Sequence, residues 1–367
     1  MADIQLRFGK DMLVVSSPVE ERLLTQADAL LWDEDSEEDL ADLTAADVPF
    51  VQATTVQPSS EAAESGAVEL SLLIEPEVFE DAYRLERAVG ANCLAAPTAH
   101  LTPARLAQVR LQDAAADLAR TAIQVIQAHA PEHGLVELNP CGLPLDVASK
   151  ASLLENRSQY ERAGRLFDDL PFDAFLLNGF VRIADLRCAL MGIRKVSDAP
   201  IIACIDVNAQ GMLAPLETAP GSQPFLVREA LEEALAVMAE YGANAVGFRT
   251  DADPSVVTQL IQRSSQSVYL PQMVQLFVRP DGPYHTPDDA FDAACTFADA
   301  GVQFLRATGA ATPVFTGALA AAVAGHDVQH PQAHEQGADP ASPSPADADR
   351  LRQIVNSALG INGAERP

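Results

Sequence analysis

Six polar residues stand at the ends of short apolar runs. Asn139 closes Leu135–Asn139, Asn178 closes Ala174–Asn178, Asp206 closes Ile201–Asp206 and Arg306 closes Val302–Arg306. Arg249 and Arg279 follow directly on Ala245–Phe248 and Val274–Val278. Three arginines in such places are notable in a chain with only 24 Lys+Arg. A guanidinium fork matches the two oxygens of a carboxylate or phosphate. With Thr250 and Thr308 as hydroxyl donors, Arg249, Arg279 and Arg306 would hold a small anion or anionic metabolite. The alternative is that they pair with the nearby acids Asp206, Asp251 and Asp281 and only structure the run ends. Asp206 would serve as an acid or base if buried, or as a salt-bridge partner. Cys141, just past the third run, is the one cysteine placed for a functional role. Cys93 and Cys204 fall within apolar runs, and Cys188 and Cys295 within helical stretches, where buried packing is expected.

These residues need elements to position them. Two further runs, Met12–Val15 and Asn92–Ala95, bring the total to eight, and helical patterns alternate with them. The clearest helical stretches are Phe225, Leu231, Ala234, Leu235, Met238, Tyr241 and Phe291, Ala294, Phe297, Ala298, with apolar residues three or four apart. Gly90, Gly242 and Gly301 each stand between a helical stretch and a run, where a left-handed C-cap is expected. Strands alternating with helices imply a parallel sheet, and eight such units imply an α/β closed (β/α)8 barrel, the TIM barrel. Its ligand residues lie at the C-terminal strand ends, where the six polar residues are.

Two segments leave this pattern. An acidic N-terminal insertion, about residues 25–66, contains Trp32-Asp-Glu-Asp-Ser-Glu-Glu-Asp and suits a solvated excursion. A flexible C-terminal tail, 326–367, is rich in Gly, Ala, Pro, Asp and Ser and buries too little apolar surface to offset its ordering entropy. A short amphipathic helix is expected there, with Leu351, Ile354, Val355 and Leu359 on one face. His326, His330 and His334 recur every fourth residue in the tail. On a helix they would share a face and bind a metal, but Pro331 and the surrounding composition favour a disordered tail. The barrel is thus expected over 1–325.

The formal charge is −28, from 24 Lys+Arg against 52 Asp+Glu. Such a surface repels nucleic acid and anionic membranes. The N-terminus lacks a basic region followed by a long apolar run, and no stretch has the length of a membrane span. Five widely spaced cysteines do not form a disulfide framework. The expected location is cytoplasmic.

Several segments carry a resemblance. LLIEPEVFEDAYRLERAVGANCL (Leu72 to Leu94), VELNPCG (Val136 to Gly142), DAFLLNGFVRIADLRCAL (Asp173 to Leu190), APIIACIDVNAQGML (Ala199 to Leu213), YGANAVGFRTDADPSVV (Tyr241 to Val257) and the span Thr286 to Leu319 resemble, in order and spacing, the homocysteine S-methyltransferase family. This family includes betaine–homocysteine methyltransferase and the N-terminal barrel of cobalamin-dependent methionine synthase. The resemblance implies methyl transfer to a small thiol, with a methyl-carrier (corrinoid) protein as a partner. It also implies a zinc ion held by three cysteines, which would bind the substrate thiol and remove its proton. One family cysteine falls on Thr250, and the pair in the family's Gly-Gly-Cys-Cys-Gly-Thr stretch falls on Thr308 and Gly309. The family's acidic residues fall on Asn178 and Ala95, and its opening Asp-Gly-Gly-Met-Gly-Thr motif survives only as Gly9-Lys-Asp-Met12. Zinc is therefore expected for the family but its ligands are absent, and no cofactor is expected here. The readings left open are a methyltransferase relative, a non-catalytic or repurposed barrel binding a small anionic metabolite, and a different enzyme using Asp206, Cys141 or the arginines.

Overall fold

The computed structural model describes residues 3–20, 22–23, 60–216 and 229–324. Eight parallel strands close on themselves in sequence order: β1 (Leu13–Val15), β2 (Cys93–Ala96), β3 (His133–Leu138), β4 (Ala174–Phe180), β5 (Ile201–Asp206), β6 (Ala245–Thr250), β7 (Gln272–Val278) and β8 (Phe304–Gly309). Every one of the eight apolar runs contains or overlaps one of these strands. Ten helices are described between and after them. Two of them, α1 (Ser60–Ile74) and α2 (Pro76–Ala88), separate β1 from β2, and α3 (Pro103–Gln108) and α4 (Ala115–Gln127) separate β2 from β3. Single helices follow each later strand: α5 (Lys150–Arg165), α6 (Ile183–Arg194), α7 (Leu231–Glu240), α8 (Pro254–Ser267), α9 (Pro287–Asp299) and α10 (Pro313–Val323). The architecture is a (β/α)8 barrel.

The strands read as near-continuous apolar runs because both faces are covered. Outward residues such as Val136, Leu177, Phe248 and Leu305 join the large cluster shared with the helices. Inward residues such as Leu135, Leu176, Ile202, Met273 and Phe304 form a separate cluster inside the barrel. Ile4, fully buried on a single 3-10 turn (Ile4–Arg7), belongs to that inner cluster and closes the floor. Phe8 adds an edge-to-face contact on Phe304, with ring centroids 5.7 Å apart.

Helix ends follow the local chemistry. Gly90 has φ +113, and Gly242 and Gly301 are also left-handed at φ +86 and +92. At Gly90 an added Cβ would come within 2.8 Å of the Ala320 side chain, so glycine is required for space as well as for conformation. At the start of α9, Thr286 and Asp289 form a reciprocal capping box, with Pro287 in the first turn.

Three expectations change. The acidic insertion ends earlier than expected, because residues 60–66 already belong to α1, whose Val68 and Leu72 lie four apart and buried. Cys295 lies in a helix but is only half-buried. α7 begins at Leu231. Phe225, the centre of the acidic insertion, the three tail histidines and the tail helix all lie outside the described residues.

Candidate functional site

The C-terminal half of the barrel interior is polar. Strand register places Asp206 beside Arg249, Arg249 beside Gln275 and Gln275 beside Arg306. Each is in phase with the inward apolar residue two or four positions earlier, so all four point into the barrel interior. Glu137 and Asn178 belong to the same inward phase on β3 and β4.

The charges in this half of the interior are matched. Arg249 grips Asp206 with both arms, Nε to Oδ1 at 2.9 Å and Nη2 to Oδ2 at 2.8 Å. Arg306 reaches Glu137, with Nη2 2.8 Å from Oε2, and donates from Nε to the carbonyl of Ser16 at 2.9 Å. The Arg306 side chain is 0% exposed. Burial pushes the Glu137 carboxyl up, but the Arg306 charge and hydrogen bond, the Asn178 amide and the Arg249 charge together hold it below the ordinary glutamate range. From Glu137 the chain of hydrogen bonds continues. Asn178 Nδ2 donates to Glu137 Oε1 at 2.8 Å, and Gln275 Nε2 donates to Asn178 Oδ1 at 2.8 Å. Cys204, one level below, is pushed up to about 12 by burial, with a hydrogen bond from Gln275 acting the other way.

Nearer the rim, Arg279 pairs with Asp251. Its side chain is 42% exposed, against 8% for Arg249 and 0% for Arg306. Two guanidiniums lie within cation–π distance of Phe277, Arg249 5.3 Å and Arg279 5.6 Å from its ring centre. Thus Arg249 and Arg279 do pair with Asp206 and Asp251, as the local-pairing alternative had it. Arg306 pairs instead with Glu137, which sequence reasoning missed. Gln275 was missed as well. The available signal was a polar residue inside an otherwise apolar run, Leu135-Val-Glu-Leu and Val274-Gln-Leu-Phe.

The hydroxyls are engaged locally. Thr250 Oγ1 accepts from the Ala252 amide at 3.2 Å, and Thr308 Oγ1 donates to the Leu276 carbonyl at 3.3 Å. Gly309 has φ +69, and an added Cβ would lie 2.7 Å from the Val278 carbonyl and 3.0 Å from the Phe277 ring. The three positions matched to zinc cysteines therefore hold two hydroxyls tied to backbone and one glycine with no room for a side chain. Among the described residues no cluster of three or more His, Cys, Asp or Glu is placed to hold a metal ion. These residues do not fit a thiolate zinc site.

Asn139 stands just past β3 beside Gly179, and its Oδ1 is buried without a hydrogen-bond partner among the described residues. Cys141, in the same loop, is 3% exposed, donates from Sγ to Asn156 Oδ1 at 3.2 Å, and has its amide bound to the Tyr160 hydroxyl at 2.9 Å. Burial raises its pKa, so the thiol stays protonated and acts as a packed structural group rather than a nucleophile. Ala95 lines the lower interior, and its carbonyl accepts from the buried Tyr83 hydroxyl at 2.6 Å.

No family model matches the sequence, and no curated relative matches it. Solved structures do. The homocysteine methyltransferase MmuM from Escherichia coli, in its metallated form, superposes with a TM-score of 0.58 at 14% identity, covering 85% of this chain and 96% of that chain. Its oxidised form gives 0.60 at the same identity and coverage. The fold is homocysteine methyltransferase-like. At this identity the likeness concerns the fold, and the chemistry rests on the side chains just described. Among the described residues no helix is long and apolar enough to cross a membrane.

Proposed function

We propose that this chain is a homocysteine methyltransferase-like barrel in which zinc-assisted thiol activation has given way to the binding of a small anionic metabolite at the C-terminal strand ends. One observation carries this reading. The barrel interior near the strand ends holds the buried Arg306–Glu137 pair, and Thr250, Thr308 and Gly309 provide no ligand set. Arg279 is the anion contact, because it alone of the three arginines is substantially exposed. Arg249 and Arg306, held by Asp206 and Glu137, shape the floor beneath it. Asn139 and Asn178 line the β3 and β4 side.

Methyl transfer to a small thiol, with a corrinoid methyl-carrier protein as partner, is the competing reading, favoured by the likeness in fold. Metal analysis of the purified protein together with a homocysteine titration separates the two. The proposal expects neither zinc nor homocysteine binding, and stoichiometric zinc overturns it. A thermal-shift screen against phosphate esters and dicarboxylates tests the anion site. At least one is expected to stabilise the protein, and Arg279→Ala to abolish that shift. No shift with any of them, or equal shifts in the variant, overturns the anion site.

A further inference from the structure

Eight of the chain's 24 Lys and Arg fall in residues 150–195, against six acids, so this stretch is net basic in a chain of formal charge −28. It holds α5 and α6, which run side by side. Cys188 Sγ on α6 donates to the Leu153 carbonyl on α5 at 3.7 Å. One turn on, Gly192 stands so close to α5 that an added Cβ would lie 2.5 Å from the Arg157 carbonyl. Beside these contacts Leu154 is 43% exposed and Met191 37% exposed, and Arg157 and Arg187 are half-buried. Burial pushes the Cys188 thiol up to about 11, and the charges of Arg187 and Arg157 both act the other way, so the two guanidiniums flank the same seam.

Neither arginine has a side-chain hydrogen bond or an ion pair among the described residues. Glu161, which feels the Arg157 charge, is bonded instead by Arg165 at 2.6 Å and Lys195 at 2.7 Å. Asp185, the other acid near Cys188, is governed by burial and then by Arg182 and Glu229. Two like charges at one seam repel, and carboxylates brought to both remove that cost.

The chain carries a segment of matching chemistry. Residues 30–43, Leu-Leu-Trp-Asp-Glu-Asp-Ser-Glu-Glu-Asp-Leu-Ala-Asp-Leu, hold seven acids, no base and five large apolar side chains. They lie outside the described residues. Two arginines with two exposed apolar side chains complement them in charge and in hydrophobicity. The tether is long enough. Gly66 of α1 faces Val109 at the end of α3, and the Ala104 amide of α3 donates to Gln159 Oε1 of α5 at 2.8 Å. From α1 through α3 and α5 to α6 is three helix-to-helix steps of about 8–10 Å each. Residues 44–59, which join the segment to α1, span up to about 50 Å when extended. Tethering also raises the local concentration of the segment at the seam.

We propose that residues 30–43 dock on the α5–α6 seam of their own chain, with carboxylates on Arg157 and Arg187 and apolar side chains on Leu154 and Met191.

Trp32 is the chain's single tryptophan and reports on this segment alone. In the full chain at low salt its emission is expected at shorter wavelength than in a peptide of residues 24–59, and acrylamide is expected to quench it more weakly. Raising salt to about 1 M, where the screening length is about 3 Å, is expected to move both readings toward those of the peptide. Arg157→Glu with Arg187→Glu is expected to do the same at low salt. If that double reversal fails to fold, Arg157→Gln with Arg187→Gln serves in its place. Arg120→Glu, on the exposed face of α4, is expected to leave Trp32 unchanged. Trp32 as exposed at low salt as in the peptide overturns the docking. Shielding that persists in both seam variants, or is lost equally in Arg120→Glu, overturns the assignment to Arg157 and Arg187. Shielding that fades on dilution places the segment on a second copy and overturns docking within one chain.

Discussion

Arg306 on β8 and Glu137 on β3 meet inside the barrel, Nη2 2.8 Å from Oε2, with side chains 0% and 5% exposed. Neither charge has solvent to fall back on. The pair is held further by the Ser16 carbonyl and the Asn178 amide. Removing one member leaves the other buried and uncompensated. Glu137→Leu or Arg306→Met is therefore expected to cost about 3–5 kcal/mol in urea unfolding. The double variant is expected to recover much of that loss, because two well-packed apolar groups leave no stranded charge. A double variant as unstable as the sum of the singles would show no coupling between the two residues and would overturn the claim that each leaves the other stranded.

The same pair predicts a pH dependence. The folded-state pKa of Glu137 lies below its ordinary value of 4.5. The folded state therefore binds this proton less readily than the unfolded chain does. Its contribution to stability is complete above about 4.5 and is lost as pH falls through the lowered value. Glu132, also held low by Asn92 and Arg7, adds an effect of the same sign. Unfolding free energy should fall as pH drops below about 4.5, and Glu137→Gln should flatten that slope. An unchanged slope in the variant would mean that other carboxylates dominate acid unfolding.

Gly309 is expected to reject any side chain. Gly309→Ala combines a left-handed φ of +69 with a Cβ 2.7 Å from the Val278 carbonyl. The expected loss is about 1–3 kcal/mol, read as a lowered thermal midpoint. A triple variant with Thr250→Cys, Thr308→Cys and Gly309→Cys is expected to be destabilised and to bind no stoichiometric zinc by elemental analysis. Zinc uptake at one equivalent would refute the claim that Phe277 and the Val278 carbonyl close this position.

Cysteine reactivity should follow burial. Cys93 and Cys204 are 0% exposed, Cys141 3% and Cys188 4%, while Cys295 is only half-buried. In the native protein a thiol reagent is expected to label Cys295 first, with the other four reacting only on unfolding. Cys141→Ala is expected to cost about 1 kcal/mol, through its hydrogen bond to Asn156 and its packing. Rapid native labelling of Cys141 would restore the functional role that its loop position suggested.

Much of the architecture was legible in the sequence. The strands of a covered parallel sheet are apolar on both faces, so they stand out as runs, and Gly90, Gly242 and Gly301 mark the helix ends because few other residues adopt a left-handed cap. The placement of Asn139, Asn178, Asp206, Arg249, Arg279 and Arg306 at or near the strand ends followed from the same runs. The inner boundary of the acidic insertion did not, because the Ala-rich start of α1 has little amphipathic contrast before Val68.

What the tertiary structure alone decided is which charge meets which. Glu137 and Arg306 are 169 residues apart, and Asn178 and Gln275 are 97 apart. Barrel closure brings β8 next to β1 and sets the stagger that aims β8 across at β3. Local spacing carries no trace of that. The sequence by itself determined that these six polar residues lie at or near the C-terminal strand ends. Closure determined that its arginines are matched by carboxylates there, because the partners are chosen by strand register and lumen geometry rather than by distance along the chain.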